Sequence, residues 1–263
     1  MNRINNLLEN KSNVLTIFFT AGYPNLTDTI PVLEKLQAEG VDMIEIGIPF
    51  SDPVADGPVI QQSNLQAIEN GMTVKLLFEQ LQGMREKITI PVVIMSSLNP
   101  ILQYGMEAFC EQCKQVGIDG LILPDLPIDV YQSEYKTMFD AHGIHNILLI
   151  TPTTPASRIK TIDEQSTGFI YLVSSSSITG SKGQFSEEQL AYFKRMKSLE
   201  LSTPMLIGFG ISDNNTFNEV CQYSKGGIIG SAFVNALKEE GSLDQRISNF
   251  IQEIRPNSAL FHF

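Results

Sequence analysis

The sequence lacks any apolar run long enough to cross a bilayer. The apolar stretches near residues 14–19, 91–95 and 146–150 fall far short of the roughly 20 residues that a transmembrane helix needs. The N-terminal segment also lacks the apolar core of a secretory signal peptide and is predicted to form a short amphipathic helix instead. With 43% hydrophobic residues in 263, we expect an ordinary globular protein with ample core, no membrane partner and a cytoplasmic location.

Basic residues are also few. Lysine and arginine number 18 against 29 acidic residues, which gives a formal net charge of −11. Nucleic acid is therefore not an expected partner, because the neutralisation of its phosphates requires clustered positive charge. A small phosphorylated ligand stays possible, since backbone N–H groups at helix N-termini bind phosphate without cationic side chains.

Cysteine and histidine are scarce. An odd number of cysteines without a secretory signal argues against a disulfide framework. The one C-x-x-C pair, Cys110 and Cys113, falls within the predicted helix Met106–Val116, which favours helix packing over a redox or zinc site. The three histidines lie at predicted helix ends or in the tail, and no metal-ligand spacing occurs. We expect neither a metal nor a cofactor.

Short β-branched runs alternate with amphipathic segments along the whole chain, and no linker or shift in composition divides them. This alternation predicts eight strands, each followed by a helix. The predicted strands are Val14–Thr20, Val41–Ile48, Pro91–Met95, Gly120–Leu123, Asn146–Thr151, Phe169–Val173, Pro204–Gly208 and Gly227–Gly230. Eight such units in this length are typical of a TIM (β/α)8 barrel.

We therefore predict a single domain over residues 1–263, with the barrel core at 10–255 and a tail at 256–263. A short N-terminal helix is expected, with extra helices after the second and eighth strands. The alternative is a doubly wound open sheet, which would usually carry a glycine-rich dinucleotide fingerprint after its first strand. Here that position reads Thr20-Ala-Gly-Tyr-Pro, which does not match the fingerprint.

Two acids near the second strand are the main catalytic candidates. Glu45 is the lone acid in an apolar strand, on the opposite face from its isoleucines, and Asp56 lies in the Pro/Gly-rich loop beyond. Two carboxylates in different surroundings can divide the roles of acid and base. The structural alternatives are a paired buried carboxylate for Glu45 and a turn residue that caps a helix for Asp56.

Glycine-rich turns follow the last three strands. Gly208-Phe-Gly210 and Gly230-Ser231 occupy the loops after strands 7 and 8, where many TIM barrels bind phosphate, although glycine also simply permits tight turns. The long Ser174–Gly183 segment is interpreted as either a mobile lid or an ordinary surface loop. Phe18, Tyr104 and Tyr171 are candidates for the walls of an apolar pocket, and core packing explains them equally well.

The motifs of these loops resemble those of the tryptophan synthase alpha chain family. The most specific is Glu45-Ile-Gly-Ile-Pro-Phe-Ser-Asp-Pro-Val-Ala-Asp56-Gly-Pro-Val-Ile-Gln. Further matching segments occur in the family's order, so that the resemblance covers roughly residues 5 to 255. These segments are Thr20-Ala-Gly-Tyr-Pro, Asn99-Pro, Pro124-Asp-Leu-Pro, Ile178-Thr-Gly, Gly208-Phe-Gly-Ile-Ser and Gly230-Ser-Ala.

The resemblance implies a lyase that cleaves indole-3-glycerol phosphate to indole and glyceraldehyde 3-phosphate, without a cofactor. By position, Glu45 would be the general acid/base and Asp56 would face the indole N–H. A beta chain would bind the loops after strands 2 and 6 in an alpha2beta2 complex, with Asp52 and Pro53 at the interface. The residues that the resemblance places on the substrate are Phe18, Asn99, Tyr171, Thr179, Gly180, Gly210, Gly230 and Ser231.

Two positions depart from the family pattern. Ser97 stands where many relatives carry a tyrosine, and Ser177 replaces the first glycine of the lid motif. Both departures bear on substrate affinity and lid movement rather than on the acid pair. Two other hypotheses stay open from the sequence, namely another sugar-phosphate reaction in the same barrel and a catalytically weak subunit that mainly activates a beta chain.

Overall fold

Eight parallel strands form a closed barrel in the computed structural model, which describes residues 2–52, 56–174 and 184–256. Each strand pairs with the next in sequence, and the first pairs with the eighth. The predicted TIM barrel is confirmed, and the open sheet is wrong. The strands are β1 (Val14–Thr20), β2 (Met43–Gly47), β3 (Val92–Met95), β4 (Gly120–Ile122), β5 (His145–Ile150), β6 (Ile170–Val173), β7 (Met205–Gly208) and β8 (Gly226–Ile229).

Helices surround the barrel, and the predicted N-terminal helix and the extra helices after β2 and β8 are present. Single-turn elements also occur, a 3₁₀ helix at Met84–Glu86 and a π-helix at Tyr131–Tyr135. The α-helices are α1 (Arg3–Asn10), α2 (Thr29–Ala38), α3 (Pro58–Glu69), α4 (Val74–Gln80), α5 (Leu98–Tyr104), α6 (Met106–Val116), α7 (Ile128–Val130), α8 (Lys136–His142), α9 (Ala156–Gln165), α10 (Glu187–Ser198), α11 (Asn214–Cys221), α12 (Ser231–Ala236) and α13 (Leu243–Ile254). No helix in the described ranges is long and apolar enough to cross a membrane.

Helix α5 was not predicted, because the sequence Ser96-Ser-Leu-Asn-Pro after β3 has the composition of a loop. Pro100 is compatible with a helix here, since it occupies the first turn. The backbone N–H of Leu98 is capped from outside the segment, donating to both carboxylate oxygens of Asp125 at 2.9 and 3.0 Å. A contact between residues 27 positions apart therefore starts this helix, and a local pattern could not reveal it.

The two faces of each strand point to different parts of the core. Ile44, Ile46 and Ile48 pack toward the helices, as the alternation along β2 predicts, while Met43 faces the barrel interior. Helix α1 closes the N-terminal end of the barrel by packing Ile4 among the interior residues. Glu45, on the same face as Met43, is therefore directed into the barrel.

The N-terminal end of the barrel carries paired buried acids. Asp119, 3% exposed, accepts hydrogen bonds from Arg85 at 2.6 Å and Arg3 at 2.9 Å. Asp42, 6% exposed, forms ion pairs with Lys11 and with Arg255. Since a buried charge is stable only when it is paired, these acids serve the structure at this end.

Candidate active site

A cavity of about 410 Å³ opens at the C-terminal ends of the strands. This is the end of a TIM barrel at which active sites occur. The residues that line the cavity come from β1, β2 and β3 and from the loops and the helix that follow the strands. They are Phe18, Gly47, Ile48, Phe50, Asp52, Asp56, Asn64, Met95, Ser96, Ser97, Pro124 and Asp125.

Glu45 lies below this cavity, two residues before Gly47 on the same face of β2. Its side chain is 1% exposed, and its Oε2 atom has no hydrogen-bond partner among the described residues. Unlike the two paired acids at the other end of the barrel, it has no cationic partner in the part of the chain that the structure describes. Burial, together with the nearby charge of Asp56, raises the pKa of Glu45 to about 8. An unpaired, protonated carboxyl is poorly explained by structural pairing and suits a general acid.

Asp56 occupies the cavity wall just before α3 and is only partly buried. Its Oδ2 atom accepts a hydrogen bond from the amide of Asn64 at 3.4 Å, and its backbone carbonyl accepts one from Gln61 at 2.9 Å. Burial raises the pKa of Asp56 above its ordinary value of 3.8, while the hydrogen bond from Asn64 opposes that rise. Asp56 is the readier of the two acids to ionise, because it is the less buried.

The two acids therefore provide different chemical states in one site. At neutral pH Glu45 holds its proton, since burial and then the charge of Asp56 raise its pKa to about 8, whereas Asp56 is less buried and accepts a hydrogen bond from Asn64 that opposes the rise of its own pKa. A proton donor below a cavity and an anion in its wall can protonate a substrate and stabilise the resulting positive charge. The sequence predicted this pair, and in the structure Asp56 is close enough to Glu45 for its charge to add to the effect of burial on the pKa of Glu45.

Two aromatic side chains lie beside the acids, and each depends on a glycine. Phe18 lines the cavity, and a Cβ on Gly47 would lie 2.6 Å from its ring. Tyr171, 5% exposed, lies in the barrel interior, where a Cβ on Gly208 would overlap its hydroxyl. Burial, then the charges of Glu45 and Asp56, raise the pKa of Tyr171 well above its usual value, so that its hydroxyl stays protonated beside the acids.

The predicted phosphate-binding glycines lie after β7 and β8. Gly210 has a φ of +77°, a conformation that disfavours other residues. Gly230 precedes α12, whose first residue is Ser231. A Cβ on Gly230 would contact the ring of Phe18 at 3.4 Å, which places this turn next to the cavity wall.

Of the other residues that the sequence predicted for the site, only some line the cavity. Asp52 is exposed and lines the cavity, whereas Asn99 lies in the first turn of α5 and is exposed. Ser97, the position that departs from the family pattern, also lines the cavity. The predicted residues that lie outside the described part of the chain are Pro53, Thr179 and Gly180, together with the lid position Ser177 and nearly all of the tail.

Sequence reasoning missed the polar group behind Asp56. Thr20, Ser63 and Asn64 are all buried, and they are connected by hydrogen bonds. The signal was weak, because Ser63 and Asn64 are ordinary polar residues within a predicted helix. Among the described residues, no group of three or more His, Cys, Asp or Glu side chains is arranged to hold a metal ion.

Comparison with known proteins gives a consistent result. The family model described as tryptophan synthase alpha chain matches residues 4–259. Among relatives, the tryptophan synthase alpha chain of Flavobacterium psychrophilum is 56% identical, over 97% of this chain and 100% of the relative. That of Flavobacterium johnsoniae is 54% identical with the same coverage.

Solved structures agree in fold. The tryptophan synthase alpha chain of Legionella pneumophila superposes with a TM-score of 0.86 at 30% identity, covering 99% of this chain and 98% of that one. A chain of tryptophan synthase from M. tuberculosis, in its aminoacrylate-bound form, gives a TM-score of 0.84 at 26% identity, with 97% and 98% covered. The likeness therefore extends over the whole barrel.

Proposed function

This chain belongs to the tryptophan synthase alpha chain family, whose members catalyse the cleavage of indole-3-glycerol phosphate in tryptophan biosynthesis, and we propose that Glu45 and Asp56 perform this reaction in it. The observation that carries the proposal is the unpaired carboxyl of Glu45, buried below the cavity with a pKa of about 8. The reaction is a retro-aldol cleavage that releases indole and glyceraldehyde 3-phosphate.

Glu45 acts first as an acid. Its carboxyl, protonated at neutral pH, gives the proton to carbon 3 of the indole ring. The ring then carries a positive charge and can accept the electron pair of the bond to the glyceryl chain. A buried acid with a raised pKa is well matched to this step near neutral pH.

Asp56 stabilises that positive charge. It lines the cavity as the more exposed acid and, as a carboxylate, accepts a hydrogen bond from the indole N–H. A fixed negative charge placed where positive charge develops is an efficient way to lower a barrier in a partly desolvated site. Phe18 and Tyr171 would hold the ring between the two acids.

Glu45 then acts as a base. As a carboxylate it takes the proton of the glyceryl hydroxyl, the carbon–carbon bond breaks, and its electron pair returns to the ring. The products are indole and the aldehyde, and Glu45 regains the proton that it gave. No step in this sequence requires a metal or a cofactor.

The phosphate of the substrate would be held by backbone N–H groups in the loops after β6, β7 and β8. Gly210, Gly230 and Ser231 supply the last two of these loops, and Gly180 would supply the first. Oriented backbone N–H groups bind phosphate without a cationic side chain. Thr179 would help to position Asp56, and Asn99 would contact the substrate from the first turn of α5.

The partner is a tryptophan synthase beta chain, as the family implies. We place its contact at the loops after β2 and β6, with Asp52 and Pro53 on the first of them, in an alpha2beta2 complex. Asp52 is exposed beside the cavity, so that a chain bound there would adjoin the site from which indole leaves.

A direct test is indole release from indole-3-glycerol phosphate, by the purified chain alone and with a tryptophan synthase beta chain added. We expect slow release by the chain alone and a sharp rise when the beta chain binds. Chromatography of the mixture would report the complex independently. A folded chain that releases no indole under either condition would exclude the proposal.

Substitution of Gly47 by alanine tests the placement of Phe18. The added methyl would press on the Phe18 ring, because a Cβ is never accommodated at 2.6 Å without a shift. We expect KM for the substrate to rise about tenfold, as for other pockets altered by one methyl group. The matched control is Gly57→Ala, since a Cβ there meets no atom of the described residues within 4 Å. A Gly47→Ala enzyme with unchanged KM would show that Phe18 does not shape the pocket.

A further inference from the structure

A chain of hydrogen bonds connects the end of β1 to Asp56. The Ser63 hydroxyl donates to the backbone carbonyl of Ile60 at 2.8 Å. The Thr20 hydroxyl lies 2.7 Å from the Ser63 oxygen and 3.4 Å from Asn64 Oδ1. Because the proton of Ser63 is given to Ile60, the single proton of the Thr20 hydroxyl is shared between the Ser63 oxygen and Asn64 Oδ1.

This direction of donation fixes the amide of Asn64. Its Oδ1 atom accepts from Thr20, so its Nδ2 atom is turned to Asp56 and donates to Oδ2 at 3.4 Å. Asn64 is 4% exposed, and Thr20 and Ser63 are fully buried. Buried polar groups of this kind hold a defined geometry, since a flipped amide would leave its donors and acceptors unsatisfied.

We propose that Asn64, oriented by Thr20 and Ser63, is a positioning residue that fixes the Asp56 carboxylate for the reaction. The proposal rests on the proposed role of Asp56. Asn64 also lines the cavity, but its amide is committed to Thr20 and Asp56. It therefore acts through the carboxylate and not on the substrate.

The charges around Asp56 show why such a donor is needed. Glu45 from β2 and Tyr171 from β6 are coupled to it electrostatically, and Asp52 and Asp125 line the same cavity. Each of these groups is acidic or neutral, so none of them favours the ionised form of Asp56. The hydrogen bond from Asn64 is the interaction that lowers the pKa of Asp56 against the effect of burial.

The experiment compares pH profiles of kcat/KM for Asn64→Leu, inside α3, and for Asn70→Leu, at the C-terminal end of the same helix. Asn70 donates to the backbone carbonyls of Gly22 and Pro24 at 2.9 Å each, and no hydrogen bond joins it to Asp56, so its loss tests a purely structural effect. For Asn64→Leu we expect kcat/KM to fall about tenfold. We also expect the acid limb, which is the loss of kcat/KM on the acid side of the profile, to occur about one pH unit higher. For Asn70→Leu we expect a lower Tm with the acid limb unmoved.

A second pair tests the hydroxyl that orients the amide. Thr20→Val removes the donor and should shift the acid limb in the same direction, whereas Thr20→Ser keeps the donor and should restore the original profile. An unmoved acid limb in both Asn64→Leu and Thr20→Val would overturn the inference.

Asp56→Asn, assayed in parallel, separates the two proposals. If Asp56→Asn is inactive and the acid limb is unmoved in Asn64→Leu and Thr20→Val, only the inference about Asn64 fails. Full activity of Asp56→Asn would remove the proposed role of Asp56 as well.

Discussion

Replacement of Glu45 by glutamine is expected to lower kcat for indole release by a factor of at least about 100, the size of effect that a positioned acid/base supplies. Glutamine has nearly the same shape and fits the same buried position, but it can neither give a proton to the ring nor take one from the glyceryl hydroxyl. The measurement is the rate of indole release at saturating substrate, with the beta chain present. Turnover near that of the unaltered protein would remove Glu45 from the mechanism.

The stability of the same variant provides the control. The pKa of Glu45 is about 8 in the folded protein against an ordinary value of 4.5, so the folded state binds this proton more tightly than the unfolded chain does. The resulting stabilisation is complete below about pH 4.5 and is lost as the pH rises to about 8, by at most about 1.4 kcal/mol per unit. Glu45→Gln lacks this dependence, and we expect urea unfolding to show it at least as stable as the parent at pH 8. A variant that unfolds more easily there would contradict the assigned burial of an unpaired acid.

Replacement of Asp56 by asparagine is expected to lower kcat by at least about 100-fold as well. Asparagine keeps the shape and can still accept a hydrogen bond from the indole N–H. It carries no negative charge, however, and the positive ring formed by protonation is then left without its counter-charge. The rate of indole release with the beta chain present measures this loss, and near-normal turnover would exclude the electrostatic role of Asp56.

The pH profile of kcat/KM distinguishes the two acids. The unaltered protein should lose activity above about pH 8, where Glu45 gives up its proton. It should also lose activity on the acid side, as Asp56 becomes protonated, at a pH above the ordinary range because burial raises the pKa of Asp56. Asp56→Asn should lose the acid limb, and the alkaline limb of its residual activity should move to lower pH, because burial still raises the pKa of Glu45 but the charge of Asp56 no longer does. An acid limb that persists in Asp56→Asn would have to come from another group.

Much of the fold could be predicted because its signals are local. The eight strands appear in the sequence as short apolar runs, and each is present near its predicted position, although β2 starts at Met43 rather than at Val41. The alternation of side chains along β2 also predicted correctly that Glu45 faces away from Ile44 and Ile46. Such patterns depend only on the period of a strand.

The candidate site could be predicted only in part. Glu45 and Asp56 were identified from their place in a motif, but whether Glu45 was a paired structural acid stayed open. The structure decided this through a contrast: Asp42 and Asp119 are paired with basic side chains, whereas Glu45 is unpaired among the described residues. Asn64 was not identified, since an asparagine in a helix carries no sign of its partner.

The sequence by itself determined the order of the strands and of most helices, α5 excepted, the direction in which Glu45 points and the position of Asp56 in the following loop. These features follow from periodicity and turn chemistry, which act over a few residues. Only the tertiary structure decided that Asp125 caps α5, that Thr20 forms a hydrogen bond with Asn64, and that burial, together with the charge of Asp56, raises the pKa of Glu45. The physical reason is that closure of the barrel brings separate strand ends and loops together, and the burial and charge of each group depend on those neighbours.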